Sequence, residues 1–251
     1  MIACAEESAF EWIRAGCDEL LRGDDPRWVG NSVSHLMPPV FESYAKILHQ
    51  IDANYKYLDN PLSSAEEKLL NVPRCNELVQ LIQKHRAENS LRVRWRELAD
   101  LYQLPYQRNI NLEWFQGKIE QGCWPRYLAG PNEGQLGSEE FERLCSLLNP
   151  FTNGQTLYVR WAEIPFIGED KPLVFEGTLR QLPTIVRDAY PQTPEYWWPR
   201  DHSWCLCSDY DLTFTIIGGS KALISQILND VYLEALPTSH DARIDYKAPL
   251  E

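Results

Sequence analysis

Between Trp204 and Ile217 the chain alternates without a break. Trp204, Leu206, Ser208, Tyr210, Leu212, Phe214 and Ile216 take the even positions; Cys205, Cys207, Asp209, Asp211, Thr213, Thr215 and Ile217 take the odd ones. One set is large and mostly apolar, the other small or acidic. Successive side chains on a strand point to opposite faces, so this period of two predicts a half-buried sheet. Fourteen residues exceed the usual strand length of about 5–6, which favours two strands joined near Ser208–Asp211, or one bent strand. Gly218-Gly219-Ser220 then closes the sheet segment. Leu223, Ile224, Ile227, Leu228 and Val231 follow at helical spacing, with Lys221, Ser225, Gln226, Asn229 and Asp230 on the wet side.

Upstream the period changes. Leu157, Val159 and Trp161 alternate with Tyr158 and Arg160 as in a strand, Leu173 to Glu176 fits another, and residues 178–190 are ambiguous. The first 150 residues read as helices. One carries Phe10, Ile13, Cys17, Leu20 and Leu21 and stops at Gly23-Asp24-Asp25-Pro26. A second is expected from Pro38-Pro39, with a stripe of Phe41, Tyr44, Ile47, Leu48 and Ile51 and with His49 at its rim. Ser64 and Glu67 have capping-box spacing in a helix interrupted by Pro73. Leu78, Leu81, Ile82 and His85 share one face of the next, which makes His85 a core-edge histidine. Short helices are expected at 94–103 and 110–119, and a loop from Gly122 to Gly137. Ser138 opens a last helix before 150, with Glu139 and Glu140 in its first turn, closed by Asn149-Pro150. The expected architecture is α+β, one domain over residues 1–251. It has a helical part in about 1–150 and a small, mostly antiparallel sheet in about 151–251, covered by a final helix.

Charge and cysteine content exclude several classes. The net charge is −12 at pH 7 over 251 residues, and neither half is a basic arm or an acidic tail. Such a field repels phosphate backbones unless a local patch overrides it. The one tight basic cluster is Arg92, Arg94 and Arg96 around Trp95, and solvated arginines at a helix start account for it. Seven irregularly spaced cysteines without a CxxC pair suit reduced thiols in the cytoplasm. The N-terminus has no secretory pattern, and no run reaches the roughly 18 apolar residues of a membrane span.

Four chemistries are conceivable in 194–234, each beside a plainer reading. Asp209 and Asp211, two apart, would project from one strand face and suit a hard cation, or they form a turn. His202, Cys205 and Cys207 have ligand types for zinc but the wrong spacing, and buried small hydrophobes describe the cysteines better. Gly218-Gly219-Ser220 at a helix start offers N–H groups to an anion, or is a tight strand-to-helix turn. Tyr196, Trp197, Trp198 and Trp204 form a recognition surface or core anchors, in a chain with nine tryptophans. No metal and no cofactor is assigned.

The run WWPRDHSWCLCSDYDLTFTIIGGS resembles the signature of a family of uncharacterised bacterial proteins, WWPxDxxWC followed by an acidic pair and a Gly-Gly turn. The matching positions are Trp197, Trp198, Pro199, Asp201, Trp204, Cys205, Asp209, Asp211, Gly218 and Gly219, and SYAKILHQI, RWRELADLY and GPNEGQLG are also similar. The resemblance implies a bacterial, cytosolic origin and brings no activity with it. The expected function is therefore a non-catalytic, cytoplasmic protein-binding protein of adaptor or immunity type. Its binding residues would lie among Trp197, Trp198, Asp201, Trp204, Cys205, Asp209, Asp211, Gly218 and Gly219. The alternative is an enzyme using the Asp201, Asp209 and Asp211 carboxylates, with a metal as a possible assistant.

Overall fold

The computed structural model describes residues 3–19, 30–59, 76–118, 124–161, 173–188 and 192–245. In chain order the first elements are β1 (Ala3–Cys4), a 3-10 turn (Glu7–Phe10) running into α1 (Glu11–Gly16), a 3-10 turn (Val33–His35) and β2 (Ser43–Leu48). Next come β3 (Ile51–Ala53), α2 (Lys56–Asp59), α3 (Asn76–Ala87), β4 (Arg92–Val93), α4 (Trp95–Leu101), α5 (Leu112–Gln116) and β5 (Leu128–Ala129). The remainder are α6 (Ser138–Thr152), β6 (Leu157–Trp161), β7 (Leu173–Gly177), a 3-10 turn (Leu179–Gln181) with α7 (Leu182–Asp188), β8 (Tyr196–Pro199), β9 (Cys205–Cys207), β10 (Phe214–Gly219), α8 (Lys221–Leu228) and β11 (Ala235–Thr238). The class is α+β, as the sequence indicates. No helix among the described residues is long and apolar enough to cross a membrane.

Contacts group the chain into two compact units. One compact unit joins Met1–His49 to Glu133–Ala248, and a second is built on Gln50–Asn132. The second unit holds the three-stranded sheet β4-β3-β5. Leu78, Ile82, Val93, Trp95, Leu98 and Phe115 are buried in it, with the Trp95 and Phe115 rings edge to face at 5.6 Å. His85 lies at the edge of this core, as expected, with Nε2 3.0 Å from Glu97 Oε2.

The first unit is organised by an eight-stranded antiparallel sheet in the order β1-β7-β6-β8-β9-β10-β2-β11. It is larger than the sequence suggests, because β1 and β2 come from the supposedly helical half. The expected helix over Phe41–Ile51 is strand β2 and the start of β3. Its residues satisfy helical spacing, but they also alternate between two covered faces. Ala45 and Ile47 turn to one face, Tyr44, Lys46 and Leu48 to the other, and all five are buried. A strand covered on both sides shows no polar alternation, so spacing alone misassigns it.

The register fixes what each face carries. Val159 pairs with Trp197, Trp197 with Leu206, Leu206 with Ile217 and Ile217 with Ala45. These residues pack with Phe141, Leu144 and Leu148 of α6, Leu182 of α7 and Leu223, Ile224 and Ile227 of α8 in one core cluster. The opposite face carries Tyr158, Arg160, Tyr196, Trp198, Cys205, Cys207, Ile216, Gly218 and Lys46. It is covered by the N-terminal segment: Phe10 meets Tyr196 edge-on at 4.9 Å and Trp198 at 5.8 Å, and Tyr196 donates to Leu36 O at 3.1 Å. The buried Lys46 ammonium sits 3.9 Å from the Phe214 ring centroid.

Four local expectations need correction. Val231 does not belong to the buried stripe of α8: the helix ends at Leu228, and Val231 is 88% exposed. Helix α1 ends at Gly16, and Cys17 is already extended; Leu20, Leu21 and Gly23–Pro26 lie outside the described residues, as do Ser64, Glu67 and Pro73. Helix α6 runs through Pro150 to Thr152 and ends at Asn153 with φ 49°. Proline removes the N–H that would meet Ser146 O, but both residues face solvent, where water replaces that bond. His49 is not at a surface rim. It continues the Ala45–Ile47 side of the strand and is fully buried.

Candidate functional site

The segment 196–219 forms the centre of the sheet. Trp197, Trp198, Trp204, Cys205 and Leu206 have no exposed surface, and Gly218 and Gly219 are buried with the rest of β10. Two strands joined by a turn, the expected arrangement, are what form. The two faces inferred from unbroken alternation are not continuous, however. Cys207 pairs with Ile216 and Leu206 with Ile217, so even positions of β9 share a face with odd positions of β10. The turn changes the parity, and both faces are covered.

Each candidate chemistry has a definite placement. Burial holds the Cys205 and Cys207 thiols well above the ordinary range, so neither is a thiolate at neutral pH. His202 lies outside this core. It sits in the turn between β8 and β9 at φ 57°, a backbone region that non-glycine residues rarely adopt, with its ring stacked on Trp12 at 4.0 Å. Burial against that ring lowers the His202 pKa, although Asp201 opposes the shift. The glycines have packing reasons. A Cβ on Gly218 would come within 2.2 Å of the Phe41 ring, and one on Gly219 within 2.9 Å of Leu223 Cδ2. The start of α8 is already satisfied by the protein: Ser220 Oγ accepts from Leu223 N at 3.3 Å, and the Glu42 carboxylate accepts from Lys221 N at 3.0 Å.

The three aspartates do not converge. Asp201 precedes β9 and Asp209 and Asp211 follow it. Asp201 accepts from Ser203 N at 3.0 Å and is bonded by Gln155; these bonds outweigh its burial and hold its carboxyl below the usual range. Asp209 Oδ1 accepts from Asp211 N at 2.9 Å, closing the turn. In that turn the two carboxylates do not project from one strand face as a straight strand would require. Among the described residues no group of three or more His, Cys, Asp or Glu side chains could hold a metal.

Two clusters were not legible in the sequence. On the helix-covered face, His49 Nε2 lies 3.0 Å from Thr215 Oγ1, which lies 2.7 Å from Ser208 Oγ. All three are buried, which makes this chain of bonds a sealed polar strip at the end of the core rather than an open nucleophile. On the other face, Arg160 pairs with Glu195, lies 3.9 Å from Glu7, and places its guanidinium 4.5 Å from the Phe10 ring centroid. Burial pushes the Glu195 carboxyl up to about 7; Arg160 opposes this and the Asp209 and Glu7 charges add to it. A carboxyl so placed exchanges its proton near neutral pH. Period-two alternation in β6 does put Arg160 opposite Val159, but no local signal marks Glu195.

Two further regions bear on function. A groove of about 430 Å³ runs between Glu142, Cys145, Ser146 and Asn149 of α6 and the Leu179, Arg180 and Pro183 segment. Burial keeps its Cys145 thiol protonated. In the second unit the three arginines do not form one exposed stripe: Arg92 and Arg94 are half-buried, Arg96 stacks over Tyr106 at 4.4 Å, and Trp95 between them is buried. Compared with protein-family models, curated proteins and solved structures, the chain finds no significant match.

Proposed function

We propose that the chain is a non-catalytic, cytoplasmic binding protein whose partner is another protein. The observation that carries this reading is the burial of Trp197, Trp198, Trp204, Cys205 and Cys207, with both thiols held protonated. The most chemically suggestive segment is spent on the fold, which leaves the outer surface as the place of function. That surface belongs to a chain of charge −12, a poor match for nucleic acid. It carries Tyr210, 64% exposed, at the tip of the β9–β10 turn. Tyrosine is enriched among the residues that dominate binding energy, because it is large, rigid and polar at one end. The free Cys17, Cys145, Cys205 and Cys207 support a reducing compartment.

A second reading, an enzyme, has one observation in its favour: the near-neutral Glu195 carboxyl beside Arg160. Asp201, Asp209 and Asp211 would then act separately, not as one constellation. Native affinity purification separates the readings. A stoichiometric protein partner, retained by the wild type and weakened by Tyr210→Ala with the fold intact, supports binding. Absence of any partner contradicts it. A hydrolytic or transfer activity abolished by Glu195→Gln would replace it.

A further inference from the structure

The N-terminal segment from Glu7 to Gly16 is held on the sheet at one charged point. Phe10, 6% exposed, packs on Tyr196, the residue after Glu195. The Arg160 guanidinium lies between the Phe10 ring and Glu195 and also faces Glu7, whose other partner is Arg14 at 3.0 Å. The groups facing Glu195 are Arg160 from β6, Tyr196 from β8, Cys207 from β9, Asp209 from the β9–β10 turn and Glu7 from the 3-10 turn. Burial keeps Tyr196 and Cys207 protonated, so the charges in play are the Arg160 guanidinium against three carboxyl groups, one of which, Glu7, is also paired with Arg14. Two carboxylates on one arginine can be accommodated; a third, buried, is costly to ionise.

We propose that Glu195, Arg160, Glu7 and Phe10 form a pH-responsive latch that fastens the Glu7–Gly16 segment to the sheet and loosens it as the pH rises. When the segment lifts, Phe10 and Glu7 leave Arg160, and water reaches Glu195. The closed state therefore holds the Glu195 proton more tightly than the open one. By linkage, raising the pH removes that proton and drives opening. The sign follows from desolvation as the largest influence on Glu195.

Hydrogen exchange across a pH series, corrected for the intrinsic rate, measures the opening equilibrium of amides in residues 7–17. From a closed-state value of about 7 and an open-state value near the ordinary 4.5, opening is expected to rise about ten-fold between roughly pH 6 and roughly pH 8. Glu195→Gln, neutral throughout and still an acceptor for Arg160, should abolish that rise. Glu7→Gln should move the midpoint to lower pH, since it removes a charge that resists ionisation. A wild-type opening equilibrium that ignores pH overturns the latch. So does an undiminished rise in Glu195→Gln or, if that variant does not fold, an unmoved midpoint in Glu7→Gln.

Discussion

Adding one methyl group at Gly218 tests whether the Gly-Gly turn is packing architecture. A Cβ there would stand 2.2 Å from Phe41 Cδ2 and 2.8 Å from Cγ, where carbon atoms rest at about 3.5–4.0 Å. The ring has to retreat by more than about 1 Å, out of its contacts with Trp12 and Tyr44. Overpacking of this kind costs about 1–3 kcal/mol. Lost unfolded-state freedom returns roughly 0.4–1 kcal/mol. Gly218→Ala is therefore expected to lose about 1–2 kcal/mol, or roughly 2–8 °C in Tm for a chain of this size. Urea and thermal unfolding followed by tryptophan fluorescence measure it. In a Phe41→Ala background the same substitution should cost almost nothing, since the clashing ring is gone, giving a coupling of about 1–2 kcal/mol. An unchanged stability for Gly218→Ala, or an equal loss in both backgrounds, would refute the packing explanation of the glycine.

Other outcomes follow from single sites. Asp230, 2% exposed in its side chain, accepts from Arg143 Nε at 2.8 Å and from the backbone N–H of Tyr232 and Leu233 at 3.0 Å each. Asp230→Ala strands these donors and should cost about 1–3 kcal/mol by denaturant unfolding at neutral pH. Burial raises the Asp230 carboxyl, but those bonds win and hold it below the ordinary range. Its contribution is thus complete above the unfolded-state pKa and disappears as the pH falls through the folded one, so the gap between wild type and variant should close in acid. His49→Ala removes the imidazole partner of the buried Thr215 hydroxyl, which keeps only Ser208, for a loss of about 1–3 kcal/mol in the same assay. At position 202 the backbone is left-handed, so His202→Val should cost about 1–2 kcal/mol, and His202→Gly measurably less.

The legible parts of this fold are those where one face is wet. Helix α8 shows an apolar stripe against Lys221, Ser225 and Gln226, and β6 alternates buried and half-buried residues from Leu157 to Trp161. Ser220 marks the strand-to-helix boundary because its hydroxyl caps the helix. Strand β2 was illegible for the opposite reason. It is covered on both faces, and the buried Lys46 breaks what would otherwise read as a continuous apolar run. The same reason hides the character of 196–219. Its tryptophans, cysteines and acidic pair look like a site until an N-terminal segment distant in sequence, anchored by Phe10 and Phe41, is seen to close the second face. Glu195 and Arg160 are 35 residues apart and acquire their chemistry only through sheet register. Asp209 and Asp211 were visible, and so was a turn near them; what the unbroken alternation concealed is that the turn switches which parity faces the core.

The central claim is that strands β8, β9 and β10, with Trp204, are the sealed interior of the sheet, and native-state thiol labelling tests it most directly. The folded chain would be pulsed with a small thiol reagent at roughly pH 6, where the Glu7–Gly16 segment is expected to be closed, and each cysteine read by peptide mass spectrometry, with a fully unfolded sample as the reference for complete reaction. Cys205 and Cys207, with 0% and 1% exposure, are expected to stay unmodified through times at which both react completely in the unfolded sample. Rapid modification of Cys205 or Cys207 in a chain that keeps its native fluorescence would mean that the segment opens to solvent. It would contradict this account and return the tryptophan–cysteine motif to consideration as a working site.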